Sequence, residues 1–597
     1  MLYFQYWLMY LYINIFTFNY EIEIHEQYKL NFLLLPFSLI LVLKIKHLYQ
    51  AFDSKRLVLI IVICGLSSLI LYSQSLSYSN EHFFSVAFFI ICFSILALIK
   101  FNEYITIIIY ILVIAYLYEF FIGAAQLFTF YSATSKERLL PHGTVQNSGV
   151  FSILIVSGLP LINYAFFHFK NENLNKVGFL KIWHRVVKVV YLKYFYLALI
   201  LLSALLLSVT HSRTAIVSFF ITIFIFMLNE HKNIWIKINS LKITPLIICI
   251  FFILLFGLTR FKTESLSGRV LIYKISMLHF WDDFLLGLGI GKFTWHYPEW
   301  QVNYFNKNLN LDDAFFLNAG ETYLAFNEYF QIFKETGIVG MSLFLIILWL
   351  AFSSKSTSHK KLLQTCKTIL ISILICAVSS YPFHVNFLLF VLGFCFSVIF
   401  SLRNYKFNFK IFYGKKIVII SLALLYCCIA VFTVKGIKTS ILAERWKLLE
   451  NCRDCKEFNN ESYYSSLYPI LKNDGKFLAL YGELVSLKGQ NLEMAVQILE
   501  ESRNRIISIR TIQELSQLYL KIDRRQAERN LIWLTKYVPN KFSYKYDLLS
   551  FYMLTNDTSK GIAVAKQIVS MPVKIPSQKV TIIQNEAINY LTLIQTE

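Results

Sequence analysis

The chain is expected to be an all-α membrane protein: a polytopic bundle of about thirteen transmembrane helices, one large outer loop, and a soluble α-helical repeat domain behind it. Three observations predict this. Hydrophobic residues fill 56% of the 597 positions and charged ones only 16%, whereas soluble domains carry about 25% charged residues. The apolar residues gather in runs long enough to cross a bilayer. The lysines and arginines gather in every second connection between those runs. Abundant Phe (55) and Tyr (37) against 21 Gly and 10 Pro exclude collagen-like and disordered classes.

The runs lie near 3–19, 30–44, 57–75, 83–99, 104–128, 148–168, 191–210, 215–229, 243–258, 337–353, 366–381, 385–402 and 417–434. The second and eighth are short enough to be re-entrant. The first lacks the basic start and small-residue cleavage site of a signal peptide, so it is expected to be retained. One set of connections holds Lys44, Lys46, Lys55 and Arg56, then Lys100, then Lys170, Lys176, Lys181, Arg185 and Lys188. It continues with Lys232, Lys237 and Lys242, then Lys355, Lys360 and Lys361, then Arg403, Lys406, Lys410, Lys415 and Lys416. By the positive-inside rule these are cytoplasmic. The other set includes the acidic connection with Glu21, Glu23 and Glu26, the long loop 259–336, and everything after 435. Thirteen crossings put the N-terminus inside and the tail outside. The net charge of +21 is then spent on orientation, and a nucleic-acid partner is not expected.

The tail, 435–597, changes character. Apolar residues recur at helical spacing in 476–489, 493–508, 512–522, 525–538, 544–555 and 558–571. A weak repeat of roughly 34 residues runs through it, with Ala495, Ala527 and Gly561 at a similar position in second helices and Pro539 and Pro572 closing two units. Small residues let paired helices approach, and stacked pairs bury a shared face. Of ten cysteines, eight lie in apolar runs. Cys452 and Cys455 form a lone C-x-x-C at the start of the tail. Lys456 stands where haem attachment needs His, a zinc site lacks two ligands, and a local disulfide is the expected reading. No metal is implied.

Polar residues interrupt the apolar pattern at three places on the outer side. His211-Ser212-Arg213-Thr214 is a polar knot between two spans. The loop 259–336 carries Arg260, Gly268-Arg269, Trp281-Asp282-Asp283, then Gly287, Gly289 and Gly291, then His296, Asp312, Asp313 and Glu321. A dinucleotide-binding Gly-x-Gly-x-Gly needs a preceding strand in a βαβ unit, which is not expected here. The glycines are expected to let the backbone fold tightly at the membrane surface. Third come Asn327, Glu328, Gln331 and Glu335; at i, i+4, i+8, Asn327, Gln331 and Glu335 share a helix face, with Glu328 beside them. Arginine clamps a pyrophosphate through charge-assisted hydrogen bonds, and a carboxylate or His takes a proton from an incoming hydroxyl.

At these residues the chain resembles the O-antigen ligase and polymerase superfamily. Arg213 in Ser-Arg-Thr is similar to the family's Arg between two spans. Gly268-Arg269, Trp281 and the glycines of 287–291 with Phe293 resemble the opening of its large loop, 326–340 its passage into the next span, and 141–147 its earlier loop. The resemblance runs over roughly 120–400, and some members carry a tetratricopeptide-like tail. It implies a transferase in a bacterial inner membrane with the loop and tail in the periplasm. Such an enzyme moves a glycan from an undecaprenyl-diphosphate carrier to a hydroxyl of lipid A-core, a growing glycan or a protein, without a cofactor. Arg213, Arg269 and Arg260 would hold the donor pyrophosphate. Members place a His before the Asn at the loop's end as the candidate base. Here Phe326 stands there, and its ring accepts no proton. Glu328, Glu321 and His296, in that order, are the substitutes, with Asn327 beside them. The expected division is 1–434 for the transferase-like part and 435–597 for the tail, which would recruit an acceptor or protein partner. The competing readings are a lipid-linked glycan transporter, which would need access from both leaflets, and a non-catalytic envelope assembly scaffold.

Overall fold

The computed structural model describes residues 101–132, 139–145, 147–168, 189–230, 263–307, 314–402, 461–472, 475–488 and 491–596. The expected runs before residue 100, those at 243–258 and 417–434, and Arg260, Asp312, Asp313, Cys452 and Cys455 lie outside them. The described residues contain helices and no strand.

The first core is built among the described residues mainly by α1 (Phe101–Ser132), α2 (Ser148–Asn163), α3 (Val189–Thr210), α4 (Arg213–Glu230), α9 (Lys360–Ala377) and α10 (Asn386–Leu402), with Ala351 of α8 (Glu328–Ser353) against them. Four described helices are long and apolar enough to cross a membrane, over Ile108–Ser132, Ser148–Phe167, Tyr191–Thr210 and Glu328–Ser353, with shorter apolar helices at Arg213–Phe226 and Phe387–Leu402. Helix α2 is the axis: it packs on α1, α3, α4 and α9 and every residue from Val150 to Asn163 is buried. Asn147 starts it, its Oδ1 accepting the N–H of Gly149 and Val150 at 2.9 and 3.1 Å. Gly158 brings α2 against α1, since a Cβ there would lie 2.5 Å from the Tyr116 ring. Hydroxyls tie the helices where lipid offers no hydrophobic drive for their association. Ser152 donates to Thr210 at 2.8 Å and Ser218 to the Ser372 carbonyl at 2.9 Å.

The loop between α4 and α8 (Glu328–Ser353) contains α5 (Thr263–Leu278), α6 (Phe293–Lys307) and the single turn α7 (Ala314–Asn318). The tail contains α11 (Glu461–Leu471), α12 (Gly475–Lys488), α13 (Leu492–Arg503), α14 (Ile509–Ile522), α15 (Arg524–Tyr537), α16 (Phe542–Leu554), α17 (Thr558–Ser570) and α18 (Gln578–Thr596). Helices α12 and α13, α14 and α15, and α16 and α17 pack as successive pairs. Ala495, Ala527 and Gly561 are all buried in the second member of a pair. Asn491, Ser508, Asp523 and Asp557 cap α13, α14, α15 and α17 with their side chains.

The loop and the tail share one core. Leu271, Phe293, Tyr297 and Phe316 of the loop cluster with Ala527, Leu549, Ala565 and Ile568 of the tail. Polar bonds fix the register. Trp533 Nε1 donates to Glu299 at 3.1 Å, the Thr322 N–H donates to the Tyr537 hydroxyl at 3.1 Å, and the Asn540 amide reaches the carbonyls of Phe316, Leu317 and Ala319 at 3.2, 2.7 and 2.9 Å.

Candidate functional site

Four short segments converge at one end of the bundle: 211–214, the middle of α5, 326–331, and 379–384. The first turns sharply, with His211 in the left-handed region at φ 53°, and Arg213 then opens α4. The Ser379 hydroxyl donates to Thr214 Oγ1 at 3.1 Å, joining the first segment to the last. Arg213 Nη2 is buried with no hydrogen-bond partner among the described residues. Arg269, on α5, lies close enough to feel the Arg213 charge. Burial pulls the Arg269 pKa down; Tyr273 opposes that, and the Arg213 guanidinium adds to it. Two cations are therefore held together at a partly dehydrated spot, one with a buried donor left over. Such a pair costs free energy unless an anion joins it.

Phe326 lies against this pair. Its ring centroid is 5.6 Å from the Arg269 Cζ and 5.8 Å from that of Tyr381, edge-on. Its backbone is left-handed, at φ 53°, which is uncommon for a bulky residue. The next residue, Asn327, caps α8 by accepting the Phe330 N–H at 3.1 Å.

Glu328 follows at the first turn of α8 and is buried. Its Oε1 accepts the Phe383 N–H at 2.6 Å and lies 3.1 Å from His384 Nδ1. Burial pushes the His384 pKa down to about 3, so the ring is neutral at ordinary pH and one nitrogen must accept. Gln331 Nε2 sits 3.1 Å from His384 Nε2 and donates to Glu335 Oε1 at 3.0 Å. The Gln331 Oε1 accepts the Ala325 N–H at 3.1 Å. A consistent assignment has Nδ1–H of His384 donating to Glu328 while Nε2 accepts from Gln331. The network thus holds Glu328 by one side chain and one backbone amide.

The glycines of 287–291 perform a backbone crossing. Leu288 N donates to Lys334 O and Gly289 N to Glu335 O, both at 2.9 Å, while Ile338 N donates to Phe284 O at 2.8 Å. Gly291 N donates to Glu335 Oε2 at 2.9 Å. Gly287 and Gly337 both have positive φ, 73° and 63°. A Cβ on Gly287 would overlap the Glu335–Thr336 backbone, and one on Gly337 would overlap Leu285. Gly337 also breaks α8 internally, which turns the polar first turns away from the apolar remainder. Beneath the crossing, Lys334 donates to Asp283 at 2.7 Å and to the His279 carbonyl at 3.0 Å, and lies 4.9 Å from the Trp300 ring.

The other sequence candidates are elsewhere. Glu321 is exposed and its Oε1 accepts the Ile509 N–H at the start of α14, at 3.1 Å; it joins loop to tail. His296 packs on Trp295 and Trp300. Burial, with the charges of Lys292, Lys334 and His279, pushes its pKa down to about 4. His384 and Tyr273, whose hydroxyl reaches toward the Phe326 carbonyl at 3.5 Å, were not anticipated. The available signal for His384 was its place in a three-residue gap between two apolar runs, the same signal that singled out Arg213. The earlier loop is pinned by two α1 side chains. Gln126 accepts the His142 and Gly143 N–H groups at 2.9 and 2.8 Å, and Glu119 accepts from the Thr144 hydroxyl and N–H.

An O-antigen ligase family model matches residues 198–345. The matched stretch runs from α3 into α8 and holds Arg213, Arg269, Phe326, Glu328 and Glu335. It supports the O-antigen ligase family for this chain, and the apolar helices agree with a membrane protein. His384 lies beyond it. No curated protein matches the chain.

Proposed function

We propose that the protein is a bacterial inner-membrane glycan transferase, moving an oligosaccharide or polysaccharide from an undecaprenyl-diphosphate carrier to an acceptor hydroxyl at the periplasmic face. One observation carries the reading: Arg213 and Arg269 lie together, and Arg213 keeps a buried, unpartnered donor among the described residues. A diphosphate supplies the negative charge and the acceptor oxygens that this pair lacks. The O-antigen ligase family match over the same residues supports a membrane glycan-handling function.

In this reading the guanidiniums hold the diphosphate and stabilise the charge that builds on it. The acceptor oxygen attacks the anomeric carbon of the first sugar. A new C–O bond forms, the bond from that carbon to the diphosphate oxygen breaks, and undecaprenyl diphosphate leaves with the electron pair. The acceptor's proton passes to Glu328, the carboxylate nearest in sequence to the position where Phe326 replaces a histidine. His384, Gln331 and the Phe383 N–H orient Glu328. Asn327 positions the first turn, and the shared core of loop and tail offers a surface for the acceptor or a protein partner.

The test is deletion of the gene, then complementation with wild type, Arg213→Ala, Arg269→Ala or Glu328→Gln. Surface polysaccharide length, its attachment to lipid A-core, and mobility of periplasmic glycoproteins are read together. The expected result is loss of one readout, restored by wild type and by none of the variants, all of which still insert. Unchanged readouts on deletion, or full rescue by Arg269→Ala, would overturn the proposal.

A further inference from the structure

The turn that joins α5 to the glycine crossing carries an apolar face. Met277 and Leu278 close α5, and Trp281, Leu285 and Leu286 follow. All five are exposed, Trp281 at 77%. They ride on a group of aromatic rings. The Phe280 ring stacks on Phe333 of α8 with centroids 5.2 Å apart, and Phe284 lies 5.5 Å from Phe280. Large apolar side chains gathered on one short turn mark an interaction surface, whereas scattered ones would need no explanation.

Its place against α8 fits lipid. Ile338 N donates to Phe284 O at 2.8 Å and Val339 N to Leu285 O at 3.3 Å. There α8 passes from buried polar turns to its apolar stretch, and Ile338, Val339, Leu345 and Ile346 are exposed in their turn. The apolar face of the turn is thus continuous with that of a helix long and apolar enough to cross a membrane. The main chain fits lipid as well. The His279 and Phe280 N–H groups donate to the carbonyls of Ser276 and Met277, the Gly287 N–H donates to the Asp283 carbonyl, and the Phe284 and Leu285 carbonyls accept from α8. A non-helical chain enters the apolar boundary of a bilayer at low cost only when its backbone is bonded internally. The two carboxylates set the depth. Asp283 is buried on Lys334 at 2.6 Å, whereas Asp282 stays exposed, 2.9 Å from His279 Nδ1, and its charge belongs among headgroups.

We propose that residues 277–286 form a membrane wedge, with Trp281, Leu285 and Leu286 immersed beside α8 at the boundary between lipid headgroups and acyl chains. The occupant of this face is the bilayer itself, and tryptophan is the side chain such boundaries favour. Helix α5 runs directly into the wedge. Arg269 lies about two and a half turns, roughly 13 Å, back along α5 from Leu278, so the wedge sets the height of that arginine relative to the lipid surface. The inference needs α8 to cross a membrane and does not need glycan transfer.

The experiment is tryptophan fluorescence of the full chain in phosphatidylcholine vesicles, with the lipid brominated either near the top or near the end of its acyl chains. The Trp281 signal is the emission of wild type minus that of Trp281→Phe, a change at an exposed ring that spares the fold. It should be quenched roughly twofold by the shallow bromines, less by the deep ones, and little by aqueous acrylamide. Leu285→Asp puts a charge into the wedge and should remove most of the lipid quenching. Leu487→Asp, at a tail residue 78% exposed, should leave it unchanged. Quenching by acrylamide and by neither lipid would place Trp281 in water and overturn the wedge. Quenching by none of the three would mean that another segment or a second copy covers the face, which also overturns it. Lipid quenching relieved saturably by added undecaprenyl phosphate would assign the face to a single polyprenyl chain and overturn the bilayer as occupant. The same subtraction with Trp349→Phe reads α8, where Trp349 is 67% exposed. Bromine quenching at Trp349 without quenching at Trp281 removes the wedge alone, and its absence at both removes the span together with the wedge.

Discussion

Replacing Gly337 with alanine tests the backbone crossing that holds the loop against α8. Gly337 has φ 63° and ψ −166°, a region open essentially to glycine alone, and a side chain there costs about 1–3 kcal/mol. The added Cβ would also overlap the Leu285 carbonyl, so the segment 284–286 must move. That movement strains Ile338 N→Phe284 O at 2.8 Å and Val339 N→Leu285 O at 3.3 Å. At about 1 kcal/mol net for each hydrogen bond, the expected total is about 3–5 kcal/mol. The assay is thermal unfolding of the purified chain followed by tryptophan fluorescence, since Trp281, Trp295 and Trp300 all lie in this loop. For a chain of this length unfolding as one unit, the midpoint should fall by about 2–4 °C. Gly320→Ala is the control, because nothing lies within 4 Å of a Cβ there, and its midpoint should stay where it is. A Gly337→Ala protein with the wild-type midpoint would refute the claim that this crossing requires glycine.

Other predictions follow from the same geometry. Lys334→Met leaves Asp283 buried without its cation; side-chain exposures of 0% and 3% put the loss at about 3–5 kcal/mol, and adding Asp283→Leu should recover most of it in a chemical-denaturation double-mutant cycle. His296 titrates near 6.5 when unfolded and at about 4 when folded. Its contribution to stability is therefore full above about pH 6.5 and is lost as pH falls toward 4. His296→Gln should flatten the stability-versus-pH curve in that window and leave it unchanged above. Asn540→Leu strands the carbonyls of Phe316, Leu317 and Ala319, and amide hydrogen exchange across 314–320 should speed by roughly tenfold, a local loss of about 1–2 kcal/mol.

Hydropathy carried the bundle because lipid imposes one requirement on every span. The runs at 104–128, 191–210 and 385–402 match α1, α3 and α10 to within a few residues. It failed at the start of α8. The run was expected from 337, whereas the helix begins at Glu328. Its first turns carry Glu328, Gln331, Lys334 and Glu335, which are polar and still buried because other segments satisfy them. Those partners are distant in sequence: His384 for Glu328, Asp283 for Lys334, the Gly291 N–H for Glu335. No local pattern contains such a pairing. The two arginines were legible because an isolated cation between apolar runs stands out, but their mutual proximity was not. The sequence ranks Glu328 ahead of Glu321 by its place beside Asn327, but only tertiary packing separates a loop–tail tie from a buried, histidine-paired group. In the tail, small residues every second helix revealed three pairs. The flanking α11 and α18 went unseen. Helix α18 has one neighbouring face only, and leaves Ile582, Ile588 and Leu593 exposed, which blurs its periodicity.

The joint core of loop and tail sets the unit in which this protein can be recombined. Phe293, Tyr297 and Phe316 pack on residues more than two hundred positions downstream, so a foreign tail would meet a loop surface shaped for another chain. Chimaeras that exchange the tail alone should misassemble, whereas exchanging loop and tail together preserves every contact between them. Inheritance should follow the same line where both partners are side chains: a substitution at Glu299 is best tolerated in company with a change at Trp533.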